Sequence, residues 1–248
     1  MRVIARLDIK GPSLIKTIRT EGLRIMGDPR VFAERYYEGG ADELIYMDIV
    51  ASLYQRNLDF EQLRNVSENV FVPITAGGGI RSVGDIEAAL RAGADKVAIN
   101  TFAIHHPEFL TEAVERFGAQ CIVLSVEAKK TSDRKWEAYT DGGREKTGVD
   151  ALEWITRGVR LGVGEILLTS VDRDGTKTGY DLELIRAVAN TTAVPVIAHG
   201  GAGSAEDLLA AAHVGADAVS ASSIYHYNLT SLPQVKEFLR AQGTAIRI

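Results

Sequence analysis

One stretch of this chain is present twice. The segment Ala76 to Ser82 (AGGGIRS) followed by Gly93 to Val97 (GADKV) returns without a gap as Ala198 to Ser204 (AHGGAGS) followed by Gly215 to Val219 (GADAV), a shift of 122 residues. At the same shift Glu43-Leu44-Ile45 falls on Glu165-Ile166-Leu167. A repeat spaced at half of a 248-residue chain means two similar halves, neither able to bury its apolar face alone.

Short β-branched or aliphatic runs recur along both halves, each followed by a longer segment of helical periodicity. Eight are predicted: Val3 to Leu7, Leu44 to Ile49, Val72 to Thr75, Lys96 to Ile99, Ile122 to Val126, Ile166 to Thr169, Val194 to Ala198 and Ala218 to Ala221. The stretches between them, such as Ser82 to Ala92 and Ala205 to Val214, carry apolar residues at three- and four-residue spacing behind a polar cap, which predicts outer helices. Eight parallel strands without a polar edge strand predict closure. The expected fold is therefore α/β, a TIM (β/α)8 barrel with a two-fold half-barrel repeat, in one domain over residues 1–248.

Bulk properties narrow the partners. A net charge of -5 offers no general attraction to polyanions, which argues against nucleic acid. Charge interrupts the first residues before a signal-peptide core can form, and no apolar stretch reaches membrane-spanning length, so a soluble cytoplasmic protein without a membrane partner is expected. The lone Cys121 lies in an apolar run and reads as a buried thiol. His105, His106 and His226 lack metal-ligand spacing with acidic partners and read as solvated or capping residues. No metal and no cofactor are expected.

The glycine clusters fall where a strand hands over to a helix, which lets backbone N–H groups approach and point at an anion. Gly78 and Gly79 in one half and Gly200 and Gly201 in the other are the candidate phosphate sockets, with Asn100 and Thr101, and Ser222 and Ser223, adding donors just past the following strands. Thr169, Asp174 and Gly175 lie at and after the sixth strand. Two equivalent sockets at one mouth predict a small substrate with a phosphate at each end. Asp8 and Glu127 end the first and fifth strands, so closure sets two carboxylates across one cavity, a general acid/base pair once their environments diverge; the bland alternative is an ion pair with Lys10 or Lys129. Arg2, Glu43, Lys96 and Glu165 take the opposite strand ends, as a structural salt-bridge ring or as a gated passage.

The motifs resemble those of the HisF family, the cyclase subunit of imidazole glycerol phosphate synthase, over essentially the whole chain. They include Leu7 to Lys10 (LDIK), Gly77 to Ile80 (GGGI), Ile99 to Thr101 (INT), Gly164 to Ser170 (GEILLTS), Asp172 to Thr176 (DRDGT) and Gly179 to Asp181 (GYD). The sister isomerase of histidine biosynthesis shares the barrel but matches less well at the charged floor. The resemblance implies a heterodimer with a HisH-like glutaminase subunit docked on the barrel floor. Ammonia enters through a gate matching Arg2, Glu43, Lys96 and Glu165, and is added to a ribulosyl-carboxamide ribonucleotide. Cyclisation and cleavage then yield imidazole glycerol phosphate and an aminoimidazole carboxamide ribotide. It further implies a catalytic role for Asp8 and a mobile-loop role for Lys16.

Four departures cluster at the chemical end. Glu127 stands where the family has Asp, one methylene shorter. Arg6 replaces a cysteine, His199 replaces a small residue, and the loop around Lys16 lacks the family's glycine and aromatic neighbours. Such changes resemble HisF-like proteins of surface-polysaccharide gene clusters, thought to pass ammonia to an enzyme that amidates a sugar, so that reading stays beside the histidine-pathway one. A non-catalytic scaffold that binds a phosphorylated metabolite and activates a glutaminase is the alternative outside the enzyme class.

Overall fold

The computed structural model describes residues 1–19 and 21–247. Its strands are β1 (Arg2–Lys10), β2 (Ser13–Ile18), β3 (Glu21–Gly27), β4 (Glu43–Asp48), β5 (Ile74–Gly77), β6 (Lys96–Ile99), β7 (Ile122–Ser132), β8 (Lys135–Thr140), β9 (Glu145–Asp150), β10 (Glu165–Ser170), β11 (Val196–His199) and β12 (Ala218–Ala221). Eight of them, in the order β1-β4-β5-β6-β7-β10-β11-β12, pair in parallel with their neighbours, and β12 returns to β1. The barrel is closed.

The repeat is visible in the register itself. Thr75 faces Lys96 across β5 and β6, as Ile197 faces Ala218 across β11 and β12, and Leu44 faces Ile74 as Ile166 faces Val196. The predicted third and seventh strands begin two residues late, because Pro73 and Pro195 have no N–H to give a ladder and only their carbonyls pair, with Leu44 and Ile166.

Alternation sorts each strand's side chains into two layers. Outward residues such as Val3, Leu44, Val97, Leu124 and Ile166 join the helices in the larger core. Inward residues Ile4, Ile45, Met47, Ala98, Val123, Leu167, Ile197 and Ala218 fill the barrel itself. The helices begin where their caps dictate: the Ser82 hydroxyl accepts from Asp85 N, and Ser204 and Asp207 form a capping box ahead of Ala205–His213.

The sequence reading missed two hairpins. β2 and β3 fold back antiparallel on β1, and β8 and β9 on β7, so the first strand of each half carries a two-stranded flap. The segment from Lys16 to Leu23 is thus mostly hairpin, not loop. Cys121 is only half-buried. His226 is a further correction. It is 4% exposed, stacked on Tyr36 with its Nδ1 hydrogen-bonded to the Tyr36 hydroxyl, and burial holds its pKa down to about 3. No helix among the described residues is long and apolar enough to cross a membrane.

Candidate active site

At the N-terminal strand ends, Arg2, Glu43, Lys96 and Glu165 form a closed ring. Arg2 donates to Glu43 at 2.6 Å and to Glu165 at 2.5 Å, and the Lys96 ammonium reaches the same two carboxylates at 2.8 and 2.7 Å. Two cations and two anions alternate, so each of the four charges has two partners. Burial opposes the Arg2 charge, but the two carboxylates outweigh it and raise its pKa.

Above the ring sits the apolar barrel layer, and above that the mouth. On β1 the inward column reads Arg2, Ile4, Arg6, Asp8; on β10 it reads Glu165, Leu167, Thr169. Arg6 is the first polar side chain of its column above the apolar layer. Its Nε donates to Asp8 Oδ1 at 2.7 Å and its Nη1 to the Thr169 hydroxyl at 3.3 Å.

Asp8 and Glu127 hold equivalent places, for Asp8 faces Met47 as Glu127 faces Thr169, the residue 122 positions on. Their surroundings differ. The second oxygen of Asp8 is 3.5 Å from the Lys16 ammonium, and neither Lys10 nor Lys129 pairs with these carboxylates. Burial pushes the Asp8 carboxyl up, but Arg6 and Lys16 together more than cancel this and hold it below the usual range. Glu127 has no ion-pair partner among the described residues. It accepts from Asn100 Nδ2 at 2.9 Å and from Gly143 N at 2.8 Å, and burial, only partly offset by the field of Arg6, pushes its carboxyl up to about 7. One group is a fixed anion; the other sits where it can exchange a proton near neutrality.

The two sockets are in different states. On the first side a cavity of about 380 Å³ is lined by Gly78, Gly79, Asn100, Thr101 and Glu127. Gly78 and Gly79 have φ of 99° and 72°, and a Cβ at Gly78 would lie 2.1 Å from the Asp48 carbonyl oxygen, so no other residue fits that turn. Thr101 accepts from Asp141 N and so ties the β8–β9 flap to the cavity wall.

The second socket, bordered by Gly175, Gly200, Gly201, Ser222 and Ser223, holds only about 10 Å³, room for about one water molecule. The β2–β3 flap fills it. Lys16, 3% exposed, reaches Asp174 at 3.0 Å, the Thr17 hydroxyl donates to the same carboxylate, and Gly175 lies so close to Thr17 that a Cβ there would be 2.2 Å from its carbonyl oxygen. Burial opposes the Asp174 charge, but Lys16 and His199 hold the carboxyl far below its ordinary range. Among the described residues, the Ser222 hydroxyl and His199 Nε2 are buried without a hydrogen-bond partner. The Ser222 hydroxyl is a donor such a socket could offer an anion, and His199 Nε2 lies 3.6 Å from Asp174 Oδ1.

The candidate site residues named from the sequence therefore lie at the mouth or in the floor ring. What the sequence reading missed is the flaps' contribution: Gly143 of the β8–β9 turn on Glu127, and Thr17 of β2 on Asp174. A signal for the first existed in Lys135 to Thr140 (KWEAYT), which alternates and is followed by Asp-Gly-Gly, a hairpin turn signature.

A closed (β/α)8 barrel whose two halves repeat the same glycine turns, with two carboxylates at its mouth and a charge-paired floor, has the architecture of a (β/α)8-barrel enzyme. Residues 2–231 match the model of the family described as histidine biosynthesis protein, and the chain belongs to that family. It is 56% identical, over 84% of its own length and 98% of the relative's, to the imidazole glycerol phosphate synthase subunit HisF of Legionella pneumophila.

Proposed function

We propose that the chain is the cyclase subunit of an imidazole glycerol phosphate synthase. It takes ammonia from a separate glutaminase subunit and adds it to a ribulosyl-carboxamide ribonucleotide, cyclising and cleaving the adduct to imidazole glycerol phosphate and aminoimidazole carboxamide ribotide. The observation that carries this reading is the 56% identity to a HisF subunit across nearly all of that subunit's length.

The geometry supports it in three ways. The floor ring closes one end of the barrel in a geometry that fits a gate, and the apolar layer behind it would favour neutral ammonia over ammonium. The matched sockets suit a phosphate at each end of the substrate, the second opening as the β2–β3 flap gives up its Lys16–Asp174 pair. Between them Glu127 supplies the proton transfers that addition and ring closure require.

The purified chain, supplied with the bisphosphorylated intermediate and an ammonium salt near pH 8.5, is expected to form both products without any partner. Absence of turnover by folded protein would overturn the reading. One observation favours the second reading, ammonia supply for amidation of a sugar: Arg6, which departs from the cysteine that the family resemblance implies there, clamps Asp8. Well-expressed protein that fails to complement a histidine auxotroph lacking the cyclase would select it.

A further inference from the structure

The two sockets repeat each other in sequence, but at the end of their third strands one half has Gly77 and the other His199. A Cβ at Gly77 would be 2.9 Å from the Ala98 carbonyl oxygen, so the first socket has no place for such a ring. In the second, His199 is 4% exposed and borders the small cavity with Lys16, Asp174, Gly200, Gly201 and Ser222. We propose that His199 is the phosphate-binding cation of the second socket: an anion entering there displaces Lys16 from Asp174, and the imidazole takes up a proton and replaces the lysine as the positive charge between Asp174 and the anion.

Three observations carry this. Lys16 and His199 address the same oxygen, Asp174 Oδ1, at 3.0 and 3.6 Å, so an imidazolium would stand beside the carboxylate that the ammonium leaves. The ring is oriented for a second proton. Its Nδ1 is 3.2 Å from the Ser220 carbonyl oxygen, which can only accept, and so carries a proton. Nε2 then turns a bare lone pair on Asp174, a repulsion that protonation removes, and at 3.6 Å it is not committed to a hydrogen bond. Charge is the third. With the flap closed, Lys16 and Arg6 balance Asp8 and Asp174; a dianion that displaces Lys16 leaves Arg6 to face both carboxylates and the newcomer. Of the residues bordering this cavity, His199 is the one that can gain a positive charge.

The groups facing the ring are Arg6 and Asp8 from β1, Lys16 from β2, Asp174 from the loop after β10 and His226 from the short helix after β12, with Tyr180 donating to the same Ser220 carbonyl. Burial and Arg6 hold the ring below the ordinary histidine value, against Asp174 and Asp8. Loss of Lys16 alone does not reverse that balance; an anion within about 4–6 Å does, since an opposite charge at that range moves such a group by about 1–3 pH units. The midpoint rises on binding, so the anion is held best below the free midpoint and progressively less well as pH climbs through the bound one.

The inference rests on the cyclase reading for the identity of the substrate, but sulfate, a dianion from about pH 4 to 9, tests it without turnover. Histidine ring signals of the full chain are followed by NMR across that range, alone and with sulfate in large excess, and His199 is assigned through its contact with Ser220, so no variant has to fold. Its midpoint is expected to rise by about 1–3 pH units as the Gly200 and Gly201 amides shift. An unmoved His199 midpoint, or no response of those amides to sulfate, would overturn the proposal.

His199→Asn, which keeps a donor for the Ser220 carbonyl and loses the charge, is expected to raise KM for the bisphosphate about 10- to 100-fold with kcat within about threefold. The ratio of variant to unaltered KM should shrink as pH rises, whereas a ratio constant with pH would make the residue merely structural. If the sulfate titration follows the prediction and the intermediate is not turned over, the cyclase reading falls and the His199 cation stands; turnover with an unmoved His199 has the opposite meaning.

Discussion

Glu127→Gln is expected to lower kcat for ammonium-dependent turnover by about 10²- to 10⁴-fold, with KM for the bisphosphate within about threefold of the original. The amide preserves the volume of the side chain and can still accept from Gly143 N, so the cavity and the glycine turn are undisturbed. What it loses is a proton that burial has made exchangeable near pH 7. Steady-state kinetics across pH checks this directly. The free-enzyme profile of kcat/KM should show an ionisation near neutrality that the variant lacks. A variant that kept its rate would remove Glu127 from the chemistry.

The largest effect on folding is expected at Lys16. Its ammonium is buried between Asp8 and Asp174, and Lys16→Met leaves Asp174 with the Thr17 hydroxyl and a His199 ring that burial and Arg6 keep from ionising. Breaking a buried pair from one side costs about 3–5 kcal/mol, because the remaining charge stays desolvated. Urea unfolding should register a loss of that size. The double variant Lys16→Met with Asp174→Asn should recover a good part of it, since neither buried charge then remains alone. The sign with pH follows from the Asp174 carboxyl. Its folded pKa is depressed, so its contribution to stability is present above the ordinary carboxylate range and fades as acid is added below it.

Much of the architecture was legible because the barrel repeats itself. The shift of 122 residues that aligns the glycine clusters also aligns the strand registers on either side of them, down to Thr75 with Lys96 and Ile197 with Ala218. The floor ring was legible for a related reason: charged residues at inward positions of a closed sheet have nowhere to go but to each other.

The flaps were not read, since β3 carries charge and glycine at exposed positions and offers no buried face. Nor did the spacing say which cation takes Asp8. Lys10 and Lys129 are nearer the strand ends, but alternation points Arg6 inward and the β2 turn carries Lys16 back over the mouth, so both pairs formed there are non-local in their consequences. The closed state of the second socket depends on that same fold-back.

For the cyclase reaction each half of the barrel has to hold one anionic end of the same small molecule. A crystal structure with the bisphosphorylated intermediate, or with a stable bisphosphate analogue of it, tests this most directly. One phosphate is expected against Gly78 and Gly79 and the other against Gly200, Gly201 and Ser222, with Lys16 displaced from Asp174 and Glu127 beside the reacting carbons. A ligand held by one phosphate at Gly78 and Gly79, with the β2–β3 flap still closed over Gly200 and Gly201 and the other end in solvent, would contradict it.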